Sequence, residues 1–154
     1  MVPGSATRAA RPGAIRAAVW YTCRMTNDPA LPAPDAASAA VPFTPVARAG
    51  GIPPGEGRVF EVAGRLVAVF FDGERYSAID DLCPHMGASL GSGPMVDGVV
   101  TCPWHAWRFR VCDGAWCDNP KLRVDVFETR VTDGMIEVRV PPAKPVELPA
   151  AKPL

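Results

Sequence analysis

Four Asp-Gly pairs punctuate the chain, at Asp72-Gly73, Asp97-Gly98, Asp113-Gly114 and Asp133-Gly134, and they constrain what it can fold into. Both residue types tolerate the positive φ that tight hairpins demand, so each pair marks a reversal of direction. Around them lie short alternating or β-rich runs: Arg58–Val62, Arg65–Phe71, Tyr76–Ile79, Val99–Thr101, Trp107–Val111, Leu122–Val126 and Ile136–Val140. Such runs read as strands. No segment carries a long helical period, so the expected fold is all-β, a small antiparallel sandwich or barrel. Two stretches do not fit a strand pattern, Leu82–Gly93 and Cys102–Trp107, and are expected to be loops.

Proline sets the domain limits. Of 18 prolines, seven fall in residues 1–45 and five in residues 141–154. The first 43 residues are rich in Ala and Pro without alternating hydrophobicity. Such a segment buries too little to offset the entropy of ordering it, so disorder is expected there. Residues 142–154 read as a Pro-rich extended tail, leaving 44–141 as the folded domain. Arg8, Arg11, Arg16 and Arg24 fall in an acid-free stretch with the composition of a transit peptide. Arg16 interrupts its only short apolar run, however, and no twin-arginine pair precedes it. It reads as an extension without a targeting role, one that a start at Met25 would omit.

Charge and length exclude several function classes. Lys plus Arg is 16 and Asp plus Glu is 16, so no global positive field exists to hold nucleic acid or an anionic membrane. The longest clear apolar run, Leu66–Phe71, is far short of the roughly 18–20 residues that span a bilayer. Five cysteines is an odd number, which argues against a fully paired disulfide framework. A cytoplasmic protein without nucleic-acid partners or a membrane span is expected.

The two stretches without a strand pattern carry the chemistry. Cys83-Pro84-His85 is followed, after 16 residues, by Cys102-Pro103-Trp104-His105, and the chain has only these two histidines. Two similar loops each offer one thiolate and one imidazole. Such soft or borderline donors exclude magnesium and calcium and favour iron–sulfur, zinc or copper. A structural Cys₂His₂ zinc site is the plain alternative, but zinc fingers group like ligands together, whereas this chain interleaves them.

The stretch Cys83–Phe109, CPHMGASLGSGPMVDGVVTCPWHAWRF, resembles the signature of Rieske [2Fe–2S] proteins. The resemblance implies that Cys83 and Cys102 hold one iron and His85 and His105 the other. Two neutral imidazoles in place of thiolates make the cluster less negative and raise its potential to roughly −150 to +300 mV. It implies further that the imidazole edges reach the surface, giving a partner a short electron path, and that Asn119-Pro120 belongs to a third loop shielding the cluster. Pro84 and Pro103 are expected to stiffen the ligand loops. Gly87, Gly91 and Gly93 are expected to permit turns that aim amides at sulfur.

Respiratory members of the family carry an extra cysteine in each loop, forming a disulfide beside the cluster. Here Ala88 and Trp104 stand at the equivalent places. Those members also place hydroxyls after the second histidine, where this chain has Ala106 and Trp107. With fewer donors to the sulfurs, a potential in the lower part of the range is expected. The sequence is most similar to soluble Rieske-type ferredoxins, including the ferredoxin components of ring-hydroxylating dioxygenases and the small subunits found with nitrite reductases.

The resemblance implies a one-electron carrier between a reductase and a terminal oxygenase or other oxidoreductase, with no catalytic residue of its own. The alternative is a small subunit of an NAD(P)H-dependent nitrite reductase complex; a zinc module or redox sensor ranks below both. A Rieske oxygenase's catalytic subunit also needs a mononuclear iron held by two histidines and a carboxylate. Both histidines are already assigned here, so this chain by itself cannot be that oxygenase.

Several other residues invite sharper readings. Cys112 and Cys117 flank the Asp113-Gly114 turn and could bridge, though small buried thiols are the expectation. Met86 and Trp104 could form an apolar docking face, or Trp104 could pack inward as an anchor. Trp107, Phe109 and Val111 are expected in the core, with Arg108 and Arg110 on a solvated strand face. Asp80 and Asp81 could steer a partner or simply end a strand. Gly91-x-Gly93 lacks the following helix of a nucleotide loop, and Ser89 has no free histidine to activate it.

Overall fold

The structure, a computed structural model, describes residues 40–142, and among these there is no helix. The expected disorder of the N-terminal extension and the extended tail therefore fall, apart from residues 40–43 and 142, outside the described residues. Nine strands follow in chain order: β1 Thr44–Arg48, β2 Gly57–Val62, β3 Arg65–Phe71, β4 Tyr76–Asp80, β5 Met95–Val96, β6 Val99–Thr101, β7 Arg108–Arg110, β8 Val126–Thr132 and β9 Met135–Arg139. Six form one antiparallel sheet in the order β1-β9-β8-β4-β3-β2; the other three form a small sheet in the order β5-β6-β7.

The central strand β3 explains the layering. Its run Leu66–Phe71 is nearly continuous rather than alternating because both of its faces are buried. Ala68 and Phe70 face one core, shared with Leu90, Met95, Val100 and Phe109 of the small sheet and its loops. Val67 and Val69 face a second core with Val62, Phe127, Ile136 and Val138. Those residues come from β2, β8 and β9 of the same sheet, so the large sheet curls around its own core, close to a barrel. The small sheet covers the outside of the curl; one Cys/His loop leads towards it from β4 and the other joins β6 to β7.

Three of the Asp-Gly pairs turn hairpins. Asp97-Gly98 joins β5 to β6 and Asp133-Gly134 joins β8 to β9, each with both residues at positive φ. Asp72-Gly73 lies between β3 and β4 with only the glycine at positive φ. The β2–β3 hairpin uses Ala63-Gly64 in the same conformation, a turn the pattern of Asp-Gly pairs does not mark. The fourth pair also reverses the chain, with Gly114 at positive φ and Phe109 bridging antiparallel to Trp116; there Asp113 accepts from the Ala115 amide and Arg110, and a Cβ on Gly114 would fall 2.1 Å from the Val124 carbonyl oxygen.

Leu122–Val126, expected as a strand, contributes only Val126 to β8. Most of β8 escapes the hydrophobic pattern because Glu128, Arg130 and Val131 are exposed; its pairing with β4 and β9 makes it a strand. β1, also outside the hydrophobic pattern, is an edge strand, tolerating Pro45 beside a break in its register with β9. An ion pair ties the sheet near the Cys/His end: Arg65 bonds Asp80 at 2.6 Å and Asp125 at 2.7 Å and lies over the Phe127 ring.

Candidate metal centre

Both predicted loops lie at one end of the molecule. The first leaves β4 and runs through Cys83, His85 and Gly87 to Leu90, closed by a bridge between Leu82 and Ser89. The second connects β6 to β7. In each loop the cysteine carbonyl accepts a hydrogen bond from the amide four residues on, Gly87 at 2.8 Å and Ala106 at 3.0 Å. In each, the cysteine amide also donates to the carbonyl five residues on, Ala88 at 2.8 Å and Trp107 at 2.7 Å. The two tight turns require positive φ at their fourth step, supplied by Gly87 at 75° and Ala106 at 57°.

The loops bury sulfur and expose nitrogen. Cys83 and Cys102 are each 2% exposed and unbridged, whereas both histidines are exposed. The His85 and His105 Nδ1 atoms face each other at 3.1 Å. Burial pushes the Cys83 thiol up from its ordinary range, and the neighbouring Cys102 thiol adds to the effect. Among the described residues no three His, Cys, Asp or Glu side chains gather as a site for one metal ion. The four predicted ligands form instead a thiol pair and an imidazole pair. A single tetrahedral zinc needs all four donors around one point. Two irons, each taking one pair, fit this division of donors.

Residues beside the four prove as important. Asp81 is 1% exposed; its Oδ1 accepts from the Ser89 hydroxyl at 2.9 Å and from the Gly91 amide at 2.8 Å. It props the first loop from inside, which corrects any reading of it as a steering charge. Asp80 is taken up by Arg65. Gly87 has the positive φ expected of it, but Gly91 and Gly93 are glycines for lack of space. A Cβ on Gly91 would sit 2.6 Å from Val59 Cγ2, and one on Gly93 would sit 2.1 Å from the Thr101 carbonyl oxygen.

Trp107 is not a core residue in the expected sense. It is half-buried, stacked on His85 with centroids 4.7 Å apart and planes 9° apart, and on Trp116 at 4.0 Å and 10°. Phe109 and Val111 are buried as expected. Trp116 is a neighbour of the site that the sequence hides, since nothing local ties residue 116 to residue 85. Asn119 and Pro120 are exposed, and it is Trp116 of the same segment that reaches the site. Arg108 pairs with Asp118 at 2.9 Å, while Arg110 is half-buried and forks onto Asp113, so only Arg108 matches the solvated-face expectation. Cys117 is a free, exposed thiol, so it does not bridge to Cys112, and it is not the buried thiol expected. Trp104 projects outward, 60% exposed, with Met86 at 62% and Leu82 at 47%.

A family model for the Rieske [2Fe–2S] domain matches residues 43–131, more than half of the chain. The chain belongs to the Rieske [2Fe–2S] family. Its cofactor is accordingly a Rieske-type [2Fe–2S] cluster. This Rieske protein is 35% identical over 82 residues to ferredoxin CarAc of Metapseudomonas resinovorans, covering 53% of the chain and 77% of that ferredoxin. The solved ferredoxin of carbazole 1,9a-dioxygenase from Nocardioides aromaticivorans superposes with a TM-score of 0.60 at 31% identity, over 66% of this chain and 98% of that one. A structure assigned as an NADH-dependent nitrite reductase small subunit from Mycobacterium tuberculosis gives 0.60 at 28% identity, over 64% and 94%. Among the described residues no helix is long and apolar enough to cross a membrane.

Proposed function

We propose that this Rieske protein is a one-electron carrier that takes electrons from a reductase and delivers them to a terminal oxygenase, with Cys83, His85, Cys102 and His105 as the cluster ligands. The observation that carries the ligand reading is the pairing of donors: two imidazole Nδ1 atoms 3.1 Å apart at the surface above two buried thiols. The bound cluster supplies a one-electron couple at roughly −150 to +300 mV. The chain's own residues determine how that couple is reached. Cys83 and Cys102 keep the sulfur side away from water, and the exposed imidazole edges offer the short path to a partner. Leu82, Met86 and Trp104 surround those edges with apolar surface suited to docking. Between Leu82 and Trp107 the only charged side chain is Asp97, so the tip is held to its partner by shape and apolar contact.

The absence of hydroxyls at Ala106 and Trp107 supports a potential in the lower part of the range. The folded unit is residues 44–141, and the location is cytoplasmic. An EPR-monitored redox titration of anaerobically purified protein tests the function. A Rieske-type spectrum, its average g lowered by the nitrogen ligands, with a one-electron midpoint in that range is expected. A zinc-containing, EPR-silent protein would sink the proposal.

The likeness to a nitrite reductase small subunit supports a second reading, a component of an NAD(P)H-dependent nitrite reductase. Co-purification with a sirohaem-containing subunit would favour it over the oxygenase system.

A further inference from the structure

The two loops share one backbone register at their cysteines and turns, but their histidines are held differently. The matching hydrogen bonds equate Gly87 with Ala106 and Ala88 with Trp107. At this last position the first loop carries a buried methyl and the second an indole. The indole lies flat on His85 of the opposite loop and is backed by the parallel ring of Trp116. The histidines themselves are not matched by this register, since His85 lies two residues after its cysteine and His105 three, and Ala88 brings no ring to the site. Among the described residues His105 meets aromatic neighbours only edge-on: His85 at 75° and the exposed Trp104 at 6.5 Å and 79°.

We propose that Trp107, backed by Trp116, is a positioning residue for His85: it fixes that imidazole's plane and lowers the potential of the site, leaving His105 as the freer of the two. The inference rests on reading His85 as a cluster ligand. An indole face carries the negative side of the ring quadrupole and attracts an electron-poor partner. A metal-bound imidazole is more electron-poor when the metal is oxidised, so the stack favours the oxidised state. By analogy with exposed cation–π contacts, the effect on the reduction equilibrium is about two- to fivefold. At 59 mV per tenfold that is roughly 20–40 mV.

The test uses the cluster-loaded full chain, comparing wild type with Trp107→Leu, Trp107→Phe and Trp116→Leu by redox titration and by pulsed EPR of the two nitrogen couplings. Trp107→Leu is expected to raise the midpoint by about 20–40 mV and to change one nitrogen coupling while leaving the other in place. Trp107→Phe should restore most of the wild-type behaviour. Trp116→Leu touches neither imidazole and should change the same coupling by less, which keeps the test decisive if Trp107→Leu fails to assemble. Unchanged midpoints and couplings, or both couplings moving together as in a general loosening, would overturn the proposal. Failure of the ligand reading looks different, because wild type itself would then lack two nitrogen couplings.

Discussion

The two Cys/His loops are built on one backbone plan but supported by opposite chemistry. Loop 83–88 rests on a buried carboxylate, with Asp81 accepting from the Ser89 hydroxyl and the Gly91 amide. Loop 102–107 rests on aromatic surface, with Trp107 against Trp116 and His85. The shared part is a pair of matching turns, each with its cysteine buried, as the proposed ligand roles would require. The supports differ because they come from different neighbours. The first loop continues from β4 beside the large sheet, while the second is held between β6 and β7 beside the segment carrying Trp116. The turn geometry is duplicated while the anchoring is not, so equivalent substitutions in the two loops should have unequal effects.

The largest expected effect removes the feature the loops share. Cys83→Ser and His105→Ala should each lose the visible absorption of the cluster while the far-UV circular dichroism keeps its β character. Retention of the native spectrum by His105→Ala would break the ligand assignment. Next comes the support found in one loop only. Asp81→Ala leaves a half-buried hydroxyl and a buried amide without their acceptor and should destabilise by about 3 kcal/mol. Denaturant midpoints of the cluster-loaded protein would show it, and a loss below the usual scatter of surface substitutions would argue that Asp81 does not prop the loop.

A reciprocal exchange sharpens the comparison at the paired turn positions. Gly87→Ala meets no atom within 4 Å but places a side chain at φ +75°, costing roughly 1–2 kcal/mol. Ala106 already holds φ 57°, so Ala106→Gly relieves a similar strain. Part of that gain is offset by the added freedom of the unfolded chain, about 0.5–1 kcal/mol. The two substitutions should therefore shift the unfolding midpoint in opposite directions, and shifts of the same sign would deny the equivalence of the turns.

The smallest effect lies just beyond the second loop. Although Cys117 is exposed as a residue, partial desolvation of its sulfur pushes the thiol up, against the pull of Arg108 and Arg110, so less of it is thiolate at neutral pH. Iodoacetamide labelling of Cys117, located by peptide mass, should be slow at neutral pH and quicken as the pH rises above the ordinary thiol range. Labelling at neutral pH as fast as a free cysteine would show that desolvation does not control this thiol.

How much was legible in the sequence depends on how local each feature is. β3 and β6 were readable to the residue, because the hydrophobic run of one and the β-branched pair of the other lie directly beside turn signals. β8 was not, because Glu128, Arg130 and Val131 face solvent and only partner strands make that segment extended. The donor pairs were legible as residue types and spacing. Asp81 was not, since an acidic residue at a strand end is ordinarily solvated, and only the folding of Ser89 and Gly91 over it creates two donors for its carboxylate. Gly91 and Gly93 read as turn glycines by type, whereas close approach of Val59 and Thr101 is what excludes a side chain there.

By itself the sequence determined the all-β class, the hairpin positions marked by Asp-Gly, and two short loops each bearing a thiol and an imidazole. Those properties follow from residue conformations and from spacings of a few residues, which physics resolves locally. Only the tertiary structure decided that the thiols are buried while the imidazoles are exposed, and that Trp107 lies against His85 rather than inside the core. It also decided that Asp81 is a buried prop and Cys117 a free surface thiol. Each depends on contacts between segments distant along the chain, such as residue 85 with residue 107 and residue 107 with residue 116, and burial of that kind is set by packing that no local spacing encodes.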